Sequence, residues 1–208
     1  MTRPMTRTIA AITFMGALLV THNALAANET PAYAQHGVDT SSPIGWVEFC
    51  QNSVHRADCD VPSLPQAMVE LTDKRWRDIL AINAKINREV EPVTDMDHWG
   101  VAEKWSYPTD GKGDCEDYAL EKRKRLMAIG FPRQALLITV VKDHRGDGHA
   151  VLMLRTDRGD LILDNTETKV KLWNETGYRF VKRQAQENPN RWVSLGEASA
   201  TYTAAKAR

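Results

Sequence analysis

A thiol stands between acids in Gly113-Asp114-Cys115-Glu116-Asp117, and the residues that follow it carry the apolar spacing of a helix. A cysteine in the first turn of a helix lies near the positive end of the macrodipole, beside backbone N–H groups that lack an intrahelical partner. Both favour the thiolate, the reactive form of the side chain. The same N–H groups can hold the oxyanion formed when a thiolate attacks a carbonyl. Such a nucleophile needs a group that takes and returns a proton, usually histidine. The candidates are His36, His55, His98, His144 and His149. His149 follows Gly148 at the head of an apolar run that reads as a strand, where a rigid element can fix its ring. His144, in the turn Asp143–Gly148, is the alternative. Asp164 closes the run Leu161-Ile-Leu163 and is placed to accept a hydrogen bond from the imidazole and hold its tautomer. Taken one at a time, these are a core thiol, a surface histidine and an Asp-Asn turn. As an ordered set they point to acyl transfer.

The elements that must position them follow from periodicity. Thr72 can cap a helix in which Trp76, Ile79, Leu80, Ile82, Ala84 and Ile86 form an apolar stripe as far as Val90, before Pro92. Met96–Gly100 and Trp105–Pro108 read as an aromatic, turn-rich loop beside a cleft, with Trp105 and Tyr107 as candidates to line it. A second helix is expected from about Asp114 to Ile129, stopped by Gly130 and Pro132. Its basic stretch, Glu121-Lys-Arg-Lys-Arg125, is expected to be a solvated face. The period then becomes two, with strands expected over 135–141, 150–154, 161–163, 169–173 and 178–181. Helices followed by closely connected strands imply an α+β domain with an antiparallel sheet. Two adjacent strands of such a sheet can bring His149 and Asp164 side by side.

The chain has 208 residues, 42% of them apolar, enough for one domain with a core. Its 27 basic and 27 acidic residues give no nucleic-acid footprint. Arg3 and Arg7, an apolar run from about Thr8 to Val20, and Ala24-Leu25-Ala26 read as a secretory signal over 1–26, cut after Ala26. An uncleaved membrane anchor is the alternative, although the run is shorter than the ~20 residues a spanning helix needs. Residues 27–45 read as a flexible leader and 46–200 as the domain, in a periplasmic protein. In an oxidising compartment the three cysteines suggest one bridge, Cys50 to Cys59, leaving Cys115 free.

The stretch Tyr107-Pro-Thr-Asp-Gly-Lys-Gly-Asp-Cys-Glu-Asp-Tyr118, with Gly148-His-Ala-Val-Leu152 and Leu163-Asp-Asn165, resembles the bacterial transglutaminase-like cysteine peptidases. The likeness extends over roughly Cys50 to Leu195. That family includes the LapG-type periplasmic proteases that release large biofilm adhesins from the cell surface. The resemblance implies a papain-like, transglutaminase-type fold and a triad of Cys115, His149 and Asp164. It implies a protein substrate in the cell envelope, a surface adhesin among the candidates, and an inner-membrane regulatory protein as a partner. It also implies calcium, with Asp114, Glu116 and Asp117 as ligands. Carboxylates suit calcium, yet three acids in a first helical turn also complement the helix dipole, and no twelve-residue calcium loop is visible. A transglutaminase proper, whose acyl-enzyme is resolved by an amine, and a non-catalytic envelope binding module are the alternatives.

Overall fold

In the computed structural model, which describes residues 32–196, the chain opens with strand β1 (His36–Thr40), then helices α1 (Ile44–Gln51), α2 (Arg56–Cys59) and α3 (Asp73–Glu89). A short strand β2 (Glu91–Pro92), helix α4 (Asp95–Trp99) and strand β3 (Lys112–Gly113) lead to helix α5 (Cys115–Ala128). Strands β4 (Leu136–Lys142), β5 (Gly148–Thr156), β6 (Gly159–Leu163), β7 (Lys171–Leu172), β8 (Arg179–Gln184) and β9 (Trp192–Leu195) follow. Seven strands form one sheet in the order β1-β9-β8-β4-β5-β6-β7, every neighbouring pair antiparallel. The α+β reading of the sequence holds.

Local chemistry explains the helix bounds. Thr72 accepts the Arg75 N–H at 3.3 Å and starts α3. Gly130, at φ +92°, turns the chain out of α5, a conformation that costs glycine little. Helix α5 is covered on nearly all sides. Ala119 and Leu126 pack with Ile79 of α3 and with Leu136, Leu152 and Leu163 of the sheet. Leu120 meets a second cluster containing Trp46, Trp105 and Trp192.

That burial overturns one expectation. Lys122 and Arg123 are buried rather than solvated, because helix and sheet close on the face that carries them. Arg123 lies 5.9 Å from the Trp46 ring, a cation over an aromatic face. The leader reading also needs correction in its second half. His36–Thr40 forms an edge strand paired with β9, and the last two residues of that leader, Ile44 and Gly45, already belong to helix α1. Neither stretch has strong intrinsic propensity, so tertiary pairing supplies the order. Residues 1–31, including the expected cleavage after Ala26, lie outside the described residues. No described helix is long and apolar enough to cross a membrane. Cys50 and Cys59 are joined by a disulfide, and Cys115 is free.

Candidate active site

Helix α5 begins at Cys115, with Asp114 as an extended N-cap whose side chain makes no capping bond. The Cys115 Sγ accepts the Ala150 N–H at 3.3 Å, and its thiol donates to Glu116 Oε2 at 3.3 Å. Burial pushes the Cys115 thiol up, and the neighbouring Glu116 and Asp114 carboxylates push the same way, against the pull of the Ala150 N–H. The helix end therefore does not by itself deliver a thiolate. A macrodipole contributes about 0.3–1 kcal/mol, less than the desolvation of an anion flanked by like charges.

The register that places Leu152 of β5 opposite Leu163 of β6 carries the chain past the strand end, so that Asp164 reaches the His149 ring. The contact runs from His149 Nε2 to Asp164 Oδ1 at 2.9 Å. Asp164 is 3% exposed, and burial alone would raise its pKa. The donors around it win. His149 and the Tyr178 hydroxyl, at 2.6 Å, with the Thr166 N–H, at 2.9 Å, hold the carboxyl at about 2. With Nε2 engaged, Nδ1 has no hydrogen-bond partner among the described residues. A cleft of about 250 Å³ contains both Cys115 and His149, walled by Pro43, Trp105, Ala150 and Lys182. In this arrangement the thiol hydrogen points to Glu116, and no hydrogen bond joins the sulfur to the imidazole.

The other candidates fall elsewhere. His144 packs its ring 5.2 Å from that of Tyr178 and does not line the cleft of Cys115. His98 pairs with Asp110 at 2.7 Å, and His55 stacks on Phe49 at 4.3 Å. His36 lies in β1. Trp105 lines the cleft as expected, whereas Tyr107 packs against Phe49 and His55.

Beside the thiol lies a cluster of acids in two groups that share Asp114. One is Asp114, Cys115 and Glu116; the other is Asp95, Asp114 and Asp117, each with ligand atoms within 4.8 Å of one another. Sequence reasoning named Asp114, Glu116 and Asp117 and missed Asp95. Asp95 sits in the first turn of α4 behind the Thr94 cap, where an acid has an ordinary explanation, and only the fold brings it to Asp114. The Asp95 N–H donates to Asp114 Oδ2 at 3.3 Å, and the Lys104 N–H donates to the Asp95 carboxylate. Asp117 accepts the Ser106 N–H at 2.7 Å. It fits because position 113 is glycine: a Cβ there would stand 2.6 Å from Asp117 Oδ2. Burial, with Asp114 and Asp95 adding to it, pushes Asp117 up to about 8. Burial and Asp114 push Glu116 up strongly as well. Asp114 Oδ1 and Glu116 Oε1 are buried without a hydrogen-bond partner.

The chain is similar to known proteins in sequence and in fold. Residues 36–200 match the family model described as bacterial transglutaminase-like cysteine proteinase, BTLCP. Among solved structures, Legionella pneumophila LapG in a calcium-bound form is 28% identical, with a TM-score of 0.50; the match covers 60% of this chain and 72% of that one. The EGTA-treated form of Legionella pneumophila LapG is 27% identical over 59% of this chain and 72% of that one, with a TM-score of 0.49. No curated protein matches the chain.

Proposed function

We propose, from the premise that this chain belongs to the bacterial transglutaminase-like cysteine proteinases, that it hydrolyses a peptide bond with Cys115, His149 and Asp164 in an envelope protein. The observation that carries this assignment of roles is the 2.9 Å contact between His149 Nε2 and Asp164 Oδ1. It fixes the imidazole so that Nδ1 is left for the sulfur. The Cys115 proton passes to Nδ1, and the thiolate attacks the substrate carbonyl. The resulting oxyanion collapses as His149 protonates the leaving amine. Water, deprotonated by the same ring, then releases the acyl group from sulfur and restores the thiol. Asp164 remains ionised throughout, since its donors keep it far below neutral pH.

The acid cluster fits calcium. Hard oxygen donors converge at Asp95, Asp114 and Asp117, and buried oxygens of Asp114 and Glu116 without a hydrogen-bond partner suit the same ion. The calcium-bound form of a similar protein supports the same reading. When bound, calcium supplies positive charge that offsets these carboxylates. The residues themselves tie the loop before α5 to the nucleophile: Asp117 holds Ser106, next to Trp105 of the cleft, and Asp114 holds the start of α4.

The signal-like leader supports a periplasmic location, and likeness to the LapG-type proteases supports a surface adhesin as substrate and an inner-membrane protein as regulator. The test is a comparison of envelope proteins released by cells with the wild-type chain or Cys115→Ala. A fragment released only by the wild type is expected, and identical profiles would overturn the reading. Adding a labelled primary amine during the reaction separates hydrolysis from acyl transfer: amine incorporation without a hydrolysed product would make the protein a transglutaminase.

A further inference from the structure

We propose that Tyr178 is a positioning residue of this site, which holds Asp164 through its hydroxyl and braces the His149 ring with its own. The inference rests on the hydrolase reading and adds a residue that the Cys, His, Asp pattern does not contain.

Two contacts made by one side chain support it. The Tyr178 hydroxyl donates to Asp164 Oδ2 at 2.6 Å, while His149 holds Oδ1 of the same carboxylate. The Tyr178 ring also meets the His149 ring edge to face, with centroids 5.7 Å apart and planes at 79°. Tyrosine and histidine thus grip opposite oxygens of one carboxylate and touch each other, a closed triangle that leaves the imidazole little freedom. Thr166 completes the cage by donating its N–H at 2.9 Å and its hydroxyl at 3.0 Å to Oδ1.

Tyr178 is itself held. Its N–H donates to Thr176 Oγ1 at 3.2 Å, and the Thr176 hydroxyl donates to the Trp173 carbonyl at 2.8 Å. Gly177 makes the turn between them at φ +71°. Partial burial and the hydrogen bond to Asp164 push the Tyr178 phenol up to about 12, so the hydroxyl remains a protonated donor at neutral pH.

Removing that hydroxyl has a signed consequence. Asp164 then shares its charge with fewer donors, attracts the Nε2 proton more strongly, and stabilises the imidazolium. Other titratable or charged groups face the pair: Glu103, Cys115, Glu116 and Lys182 across the cleft, Glu167, Lys169 and Lys171 around the pocket that Asp164 and Tyr178 line, buried Lys122 of α5 toward Asp164, and His144 and Asp143 behind Tyr178. All remain in place in Tyr178→Phe, which keeps the ring and loses one oxygen.

The experiment compares wild type, Tyr178→Phe and Cys115→Ala, each in calcium, in two ways. Histidine-labelled NMR follows the His149 ring nitrogens with pH, and a tryptic peptide library read by mass spectrometry supplies a cleaved peptide for kinetics. In Tyr178→Phe we expect a higher imidazole pKa, a displaced Nε2–H resonance, and kcat lower by about 10- to 100-fold with KM little changed. An unmoved ring titration with unchanged kcat overturns the inference. So does lost activity with a lower melting temperature and an unmoved titration, which would make Tyr178 merely structural. If no library peptide is cut by the wild type more than by Cys115→Ala, the hydrolase reading is what fails, and the ring titration still reports whether Tyr178 holds the pair.

Discussion

Two buried carboxylate environments lie on either side of His149 and Cys115, and they differ in donors. Asp164 receives hydrogen bonds from His149, Tyr178 and both donors of Thr166 and sits at about 2. The cluster of Asp95, Asp114, Glu116 and Asp117 has carboxylates facing one another, two unpartnered oxygens, and Asp117 at about 8. One region is complete in protein atoms alone, and the other leaves buried oxygens of Asp114 and Glu116 without a protein partner, which is why a cation is proposed for it. Burial by itself decides neither acidity nor stability; the number of donors aimed at each oxygen does.

The largest way to break this contrast is Asp164→Asn, which keeps the shape and removes the charge that fixes the ring. Peptide hydrolysis is expected to fall by about 10³- to 10⁴-fold, measured as kcat/KM; a loss under tenfold would mean that Asp164 does not orient His149. Calcium withdrawal addresses the other region. Chelation should lower the melting temperature by on the order of 5 °C, and calorimetry showing no change would remove the cation from the account. A pH series distinguishes the two directly. The depressed Asp164 stabilises the fold above its unfolded value near ~3.9, and about 2 kcal/mol is lost as pH falls from there through about 2. Asp117 works in the opposite sense: without calcium, stability is greatest below ~3.9 and declines as pH rises through about 8. Calcium-free protein should therefore melt highest at mildly acid pH, and a maximum at neutral pH would contradict the clustering. The smallest effect belongs to Asp117→Asn, which should gain about 1 kcal/mol in calcium-free buffer while losing most of its response to calcium; denaturant midpoints with and without the ion check both.

The three residues proposed for chemistry were legible because each sits at an element boundary with an unusual neighbour: Cys115 at a helix start among acids, His149 after a glycine, Asp164 at a strand end. The two long helices and the strands from β4 to β6 were legible from their periods. Strand β7 shrinks from the five residues expected to two. Asp95 and Tyr178 were invisible because their roles depend on partners 19 and 14 residues away in sequence. Lys122 and Arg123 misled for a related reason: the unbroken charged run Glu121-Lys-Arg-Lys-Arg125 in α5 looks like a solvated face until sheet and α1 close over part of it.

Strand β9 has two neighbours, β8 on one side and β1 on the other, with Arg191 fastened to Asp39 at 2.9 Å beside the seam. Strand β1 thus works as a selvage, the finished border of a woven cloth. Proteolytic trimming as far as Thr40 would strip that border and leave β9 with a row of unsatisfied amides and carbonyls, a template for a stray strand.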